Sequence, residues 1–375
     1  MEKRRPYRAA AAGLLLSAVL AGVAAAPLAP AAHAAEAAAT DSRLGAAIFQ
    51  KLKARSENFT LQVPGSASAS LKTADQAFEA AMNQDDYIRY AIKSYRYSAT
   101  SDGTNATVDV EVTYWENAAQ FAYVQSKAKQ IEAAILTKGM NDYQKVKAVH
   151  DWVLTHVAYD QTLVKHSAYD ALASGSTVCQ GYASLTYLLL KDAGVTVRIA
   201  EGTVPTGAHT WNLVKLDGKW YHLDTTFDDP VPDAKGRTAY GYFLLTDAQI
   251  RADHKWTLTY PAAVTSFRTT LGRLIASDPS RKSFYMGLRS NLGYAYLLPE
   301  NTVKSAADIA AHLKAAVKAG KSSLTVRYVN GANVKLDLQA LLEAVPALTS
   351  IRSSASRFPA GGAGDVLLSL SFSTK

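Results

Sequence analysis

The chain has 375 residues, 48% of them hydrophobic and 19% charged, with a formal net charge of +8. That is ordinary globular composition, in which disorder is not the default, and the length is enough for roughly two or three domains. The basic excess is mild and is not gathered into a Lys/Arg block interleaved with aromatics, so nucleic acid is not an expected partner.

At the start, Lys3, Arg4, Arg5 and Arg8 lead into an uncharged Ala- and Leu-rich run from Ala9 to Ala26, then Ala32-His33-Ala34. A positive n-region, an apolar h-region and an A-x-A site form the layout of a secretory signal. Residues 1–34 are therefore expected to be a signal peptide cleaved near Ala34, leaving a secreted or cell-envelope protein. The alternative is an uncleaved anchor, against which the run is short for a span of ~20 residues. No later stretch is long and apolar enough to cross a bilayer, so no stable membrane span is expected after processing.

In chain order, Leu44–Lys53 reads as a helix, Phe59–Val63 as a strand and Thr73–Met82 as a helix. Tyr90–Ser98 and Val108–Trp115 alternate as two strands around the turn at Ser101-Asp102-Gly103. Near the other end, Ala306–Ala319, Leu324–Val329, Leu336–Val345, Ser350–Arg357 and Val366–Phe372 repeat the same helix-strand-helix-strand-strand order. Leu52-Lys53 and Leu313-Lys314 fall at matching points, and a turn glycine follows the first strand of each set, at Gly65 and Gly331. These features predict one small α/β module used twice, with chance coincidence of two common modules as the alternative.

Between them, Tyr143, Val146, Val149, Val153 and Val157 recur at helical steps from Asp142 onward. A second helix is predicted from Cys179 to Lys191, after the Gly175 turn and before the Gly194 stop. Val195–Glu201, Thr210–Leu216 and Trp220–Asp224 read as strands. Asp217-Gly218 is a preferred two-residue type I′ turn. If it closes the last two strands on each other, opposed positions sum to 435, Trp211 faces Asp224, and His209 lies diagonal to Asp224 on one sheet face. A histidine–carboxylate pair follows from the turn. The same register puts His222 on that face, so it is the second candidate for a base. Asp228 and Asp229 read as a solvated loop.

Cys179 is the one cysteine in the chain. It cannot form an internal disulfide, and in an exported protein it is either a small core residue or a nucleophile. Its place where a turn becomes a helix favours thiolate, because unpaired backbone N–H groups and the positive end of the helix dipole lie there. The same donors suit the oxyanion of acyl transfer.

Val178-Cys179-Gln180-Gly181-Tyr182-Ala183, His209-Thr210-Trp211-Asn212-Leu213-Val214 and Trp220-Tyr221-His222-Leu223-Asp224-Thr225-Thr226 resemble the three blocks of the transglutaminase-like superfamily, in its bacterial secreted branch. Lys147-Ala148-Val149-His150-Asp151-Trp152, Tyr159-Asp160 and Tyr242-Phe243-Leu244-Leu245 extend the resemblance. It implies a papain-like fold with Cys179 as nucleophile, His209 as general base and Asp224 as the residue orienting the imidazole. Gln180, Trp152 and Tyr159 are candidate substrate or oxyanion residues, with plain packing as the alternative for each.

The expected fold class is α+β. A transglutaminase-like catalytic domain at 136–262 is flanked by an N-terminal module at 35–135 and a C-terminal α/β module at 263–375. The expected activity is cysteine-dependent acyl transfer, with a cysteine peptidase or amidase and a non-catalytic binding module as rivals. A protein or peptide is the expected partner, with cell-envelope material one source. No cofactor and no metal are expected. His150, His156 and His166 lack ligand spacing, and Asp228, Asp229 and Asp233 do not match a calcium loop.

Overall fold

The computed structural model describes residues 30–229, 238–358, 360–362 and 364–375, with side chains from residue 42 onward. Most of the signal-peptide expectation, and Asp233, lie outside the described residues. The architecture is α+β, and the chain divides into two compact units. The first takes residues up to 134 together with 160–188; the second takes 135–159 together with 189–375. Among the described residues, no helix is long and apolar enough to cross a membrane.

The first unit opens with α1 (Pro30–Lys53), β1 (Asn58–Pro64), α2 (Ala67–Met82), α3 (Asp86–Ala91), β2 (Ile92–Ser101), β3 (Asn105–Tyr114) and α4 (Ala118–Ile135). The alternation in β1 and β3 buries Phe59, Leu61, Val63, Val108, Val110 and Val112 on one face. Ile48 and Leu52 of α1 and Ala74, Ala77 and Phe78 of α2 complete that core. The strands form an antiparallel sheet in the order β1-β3-β2. Helix α1 begins well before the predicted Leu44, because Ala is the strongest helix former and fills the segment ahead of it.

After α5 (Asp142–His156) and β4 (Ala158–Tyr159) come α6 (Ala168–Ser174), β5 (Ser176–Thr177) and α7 (Cys179–Asp192). Asn141 and Gln144 form a capping box on α5, and Ser167 and Asp170 form one on α6. Every residue from Gly181 to Leu190 is buried, so α7 is enclosed on all sides. The second unit then builds an antiparallel sheet in sequential order from β6 (Thr196–Val204), β7 (Gly207–Leu216), β8 (Lys219–Leu223) and β9 (Phe243–Leu245). A short α8 (Asp247–Ile250) follows, then α9 (Phe267–Ser277) and α10 (Lys282–Asn291). The sequence pattern assigned no element to α4, α6, α9 or α10.

The chain ends with β10 (Thr302–Val303), α11 (Ala306–Lys318), β11 (Ser323–Tyr328), α12 (Leu338–Ala344), β12 (Leu348–Arg357) and β13 (Val366–Thr374). Their sheet order is β10-β11-β13-β12. Without the added β10, this is the order β1-β3-β2 again, with the same antiparallel pairings. The registers correspond as well. Val108 sits between Leu61 and Ala99, and Leu368 between Val326 and Ala355. A bulge interrupts the edge strand at the equivalent place, between Ile92 and Ser94 and between Leu348 and Ser350. From that bulge both edge strands read Ser-x-Arg-x-Ser-Ala, as Ser94 to Ala99 and Ser350 to Ala355. A turn follows the first strand of each set. Its left-handed residues are Gly65, at φ 115°, and Asn330, at φ 54°, rather than Gly331. Asn tolerates that region, and Gly331 is instead held by the Tyr328 ring, which a Cβ there would approach to 2.8 Å.

Arg55 ends α1 in the left-handed region, at φ 57°. Its buried guanidinium meets Glu116 at 3.3 Å, donates to the Leu52 carbonyl at 3.1 Å and lies 4.3 Å from the Phe121 ring centre. Burial pushes the Glu116 carboxyl up, and Tyr87 and Arg55 oppose that rise. Removing one member of a buried pair leaves the other charge without compensation. Arg55→Ala is therefore predicted to lower unfolding free energy by about 3–5 kcal/mol, read by urea denaturation. A loss below about 1 kcal/mol, the range of an exposed pair, contradicts this account.

Candidate active site

In the first unit, the Gly175 C-cap of α6 at φ 67° turns the chain into β5, and α7 starts at Cys179. The Val178 backbone N–H is tied to the Lys165 carbonyl at 2.8 Å. Val178 has no polar side-chain atom, so that position supplies no side-chain cap to the first turn of α7. Cys179 is in no disulfide and is partly exposed. Gly181 makes this turn possible: a Cβ there would fall 1.9 Å from Thr177 Oγ1 and 2.7 Å from the Ser167 carbonyl oxygen. Gln180 donates from Nε2 to the Tyr90 carbonyl at 2.6 Å, which ties its amide to the protein.

In the second unit, the β7–β8 hairpin turns at Asp217-Gly218, with φ of 48° and 77°, the positive values a type I′ turn needs. Leu213 pairs with His222 and Asn212 with Leu223, the register anticipated from the turn. Asp224 follows β8, fully buried, and His209 Nε2 lies 2.7 Å from its Oδ2. The other oxygen, Oδ1, accepts from the backbone N–H of Thr226 at 2.9 Å and of Phe227 at 3.1 Å. His254 Nε2 adds a further contact to Oδ2 at 2.9 Å. Burial alone would raise this carboxyl. The charge and hydrogen bond of His209, with those of His254, overcome it and hold Asp224 well below the usual carboxylate range.

His222 occupies a different setting. Trp211 Nε1 is only a donor, so His222 Nδ1, 2.9 Å away, accepts, and Nε2 carries the proton toward Asp247 Oδ1 at 2.8 Å. Burial lowers its pKa despite the Asp247 contact, so His222 is a neutral, structurally committed imidazole.

Asp228 and Asp229 are buried rather than solvated. Asp228 accepts from the Tyr242 backbone N–H at 2.8 Å and lies 3.1 Å from His150 Nε2, while His150 Nδ1 is 3.0 Å from Asp151. The loop after β8 therefore folds inward onto α5. Desolvation pushes the Asp228 carboxyl up to about 6. Trp152 stacks on His156 with ring centres 4.4 Å apart, and Tyr159 lies in β4.

Sequence reasoning missed His254. It lies outside every helix and strand, and no periodicity or turn rule ties it to Asp224. Among the described residues, His209, Asp224 and His254 form the set of ligand-type atoms, within 4.8 Å of one another, that has the spacing to hold a metal ion. Both nitrogens and the shared oxygen are already engaged in the hydrogen bonds just given, and no ion is assigned there.

Residues 129–225 match the family model described as Transglutaminase-like superfamily, a span that includes Cys179, His209 and Asp224. The chain is similar to the Kyphoscoliosis peptidase of Mus musculus, 27% identical over 166 residues, which are 37% of this chain and 25% of that protein. The Homo sapiens Kyphoscoliosis peptidase is 27% identical over 165 residues, 36% of this chain and 25% of its own. The similarity thus spans about a quarter of each relative. A solved structure described as a TGase is 14% identical, covering 42% of this chain and 50% of its own, at a TM-score of 0.25.

The buried charges fix a stability profile. Asp224 is held below its unfolded value, so its contribution is present above the ordinary carboxylate range and is lost as pH falls through the folded value. Burial would lower both His254 and His150, but contacts with Asp224 and Asp253, and with Asp151 and Asp228, hold them above the ordinary imidazole value. Their contributions are complete below about pH 6.5 and are lost as pH rises through the folded values. Asp228, raised to about 6, loses its contribution lower, as pH rises from the ordinary carboxylate range through about 6. Calorimetry across pH is predicted to give the highest melting temperature between about pH 4 and 6.5. A melting temperature that climbs steadily to pH 9 contradicts it.

Proposed function

From the transglutaminase-like domain of residues 129–225, we propose that this protein is an exported cysteine-dependent acyl transferase. The observation that carries the reading is the buried His209–Asp224 pair, in the same family match as the one cysteine of the chain. Cys179 is assigned as nucleophile, His209 as general base and acid, and Asp224 as the group that fixes the imidazole.

The Cys179 thiolate adds to a glutamine carboxamide or a peptide carbonyl, forming a C–S bond. The imidazolium of His209 gives its proton to the leaving nitrogen as the C–N bond breaks, and ammonia or an amine departs. An incoming amine or water then attacks the thioester and passes a proton back to His209, and the thiolate leaves. Proton exchange is assigned to Nδ1, the ring nitrogen opposite the one Asp224 holds. First-turn N–H groups of α7 are assigned to the oxyanion. The hydrolytic branch is favoured by the peptidase name of the similar proteins. The flanking modules are assigned as a duplicated unit that positions substrate, supported by their common strand order, bulge and Ser-x-Arg-x-Ser-Ala edge.

Amine incorporation and peptide hydrolysis, measured side by side, test the chemistry. Cys179→Ala is predicted to abolish both. His209→Gln should lower the rate by about 10²–10⁴-fold, the usual worth of general acid–base help. Asp224→Asn should cost no more than that. His222→Gln can still accept from Trp211 and donate to Asp247, and should remain near wild type. Equal loss from His222→Gln with His209→Gln near normal would assign the base to the wrong histidine.

Export has its own readout. The first residue of secreted protein is predicted near Ala35 by N-terminal sequencing, and retention of Leu14 to Leu20 would contradict cleavage.

A further inference from the structure

His254 is fully buried at the end of the turn after α8 and is not assigned to the reaction above. Lys255, next to it, pairs with Thr203 of β6 through hydrogen bonds of 2.8 and 2.9 Å. This docking depends on Gly202, where a Cβ would fall 2.1 Å from the Lys255 carbonyl oxygen. Gly202 is the register partner of His209. The segment carrying His254 is therefore seated beside the strand that carries the candidate base.

Both nitrogens of His254 face carboxylates: Nε2 lies 2.9 Å from Asp224 Oδ2, and Nδ1 lies 2.6 Å from Asp253 Oδ1. An ionised carboxylate only accepts, so two such partners call for two N–H groups and a positively charged ring. Asp253 Oδ2 in turn accepts from Tyr242 Oη at 2.6 Å and from Arg357 Nη1. Arg357 also donates to Tyr242 Oη at 2.8 Å and to the Gln249 carbonyl at 3.0 Å. Arg357 is the last residue of β12, in the C-terminal module. Charges of alternating sign thus run from Arg357 through Asp253 and His254 to Asp224, the carboxylate that His209 also contacts.

We propose that His254 is a positioning residue that shares the Asp224 carboxylate with His209, and that Asp253 and Arg357 hold it there, which makes the C-terminal module part of the acid–base unit. The proposal rests on His209 being the base. Oδ2 is divided between two imidazoles whose ring centres are 5.3 Å apart. A positive His254 at that distance opposes a second positive ring, so His209 stays neutral, and able to accept a proton, to lower pH than an isolated His–Asp pair would allow.

The surroundings agree. Burial would lower His254, and its contacts with Asp224 and Asp253 raise it above the ordinary imidazole value. The other ionisable groups facing it are His209 on β7, His222 on β8, Tyr242 beside β9 and, through Asp253, Arg357 on β12. Trp211 and Phe227 make T-shaped ring contacts with His254, with centres 5.1 and 4.8 Å apart.

The test compares full-length wild type, His254→Gln, Arg357→Gln and Arg357→Lys. One readout is the NMR titration of His209, assigned by loss of its signal in His209→Gln. The other is the acidic limb of kcat/KM. His254→Gln keeps an amide N–H for Asp224 and removes the charge, so both midpoints should rise by about 1–2 pH units, the size expected for a charge at this distance in a partly screened site. Arg357→Gln, which stands if His254→Gln fails to fold, should move both the same way by a smaller amount, and Arg357→Lys should restore most of the shift. An unchanged His209 midpoint in folded His254→Gln or Arg357→Gln overturns the proposal. If the midpoint shifts in a protein whose wild type has no turnover, the coupling stands and the enzymatic reading falls.

Discussion

The second unit is organised around one buried carboxylate. Asp224 has no exposed surface and accepts from two imidazoles and two backbone N–H groups. A buried charge is tolerated only when its acceptors are filled, and no single element of the chain can fill them all. The carboxylate therefore requires β7 to bring His209, the turn after β8 to bring its own amides, and the segment after α8 to bring His254. The glycine at position 202 and the inward loop carrying Asp228 follow from that demand.

The His209–Asp224 pair was legible because a two-residue turn fixes strand register, and register fixes which side chains share a face. Asp217 and Gly218 adopt the needed positive φ, and the diagonal neighbours meet. The same arithmetic left His222 open, and only its Trp211 and Asp247 contacts separate the two histidines. His254 was illegible because its partner is 30 residues away through loops, where no periodicity operates. Asp228 was misread for a related reason. Clustered Asp after a strand reads as a solvated turn, and only the tertiary fold supplies His150 and the Tyr242 amide. Helices α4 and α10 escaped because few of their residues are buried: Val124, Ala128 and Ile131 in one, Tyr285 and Leu288 in the other.

The helix-strand-helix-strand-strand order near each end was legible, since a small sheet must bury one face against its own helices. Leu52 and Leu313, matched in sequence, are both fully buried. What element order could not reveal was how the two sheets differ. Arg96 faces Glu111 across the N-terminal sheet, with a hydrogen bond of 2.9 Å, whereas Arg352 faces Ser371 in the C-terminal one. The C-terminal sheet also carries Arg357, and with it a connection to Asp253.

The central claim is that Cys179 works as a thiolate governed by His209 and Asp224. The pH dependence of Cys179 alkylation in the full-length protein tests it most directly, because it needs no knowledge of the substrate. The account predicts that wild type still reacts well below the ordinary thiol pKa of about 8.5, and that both His209→Gln and Asp224→Asn move the midpoint upward. A midpoint near the ordinary value that neither substitution moves would contradict it.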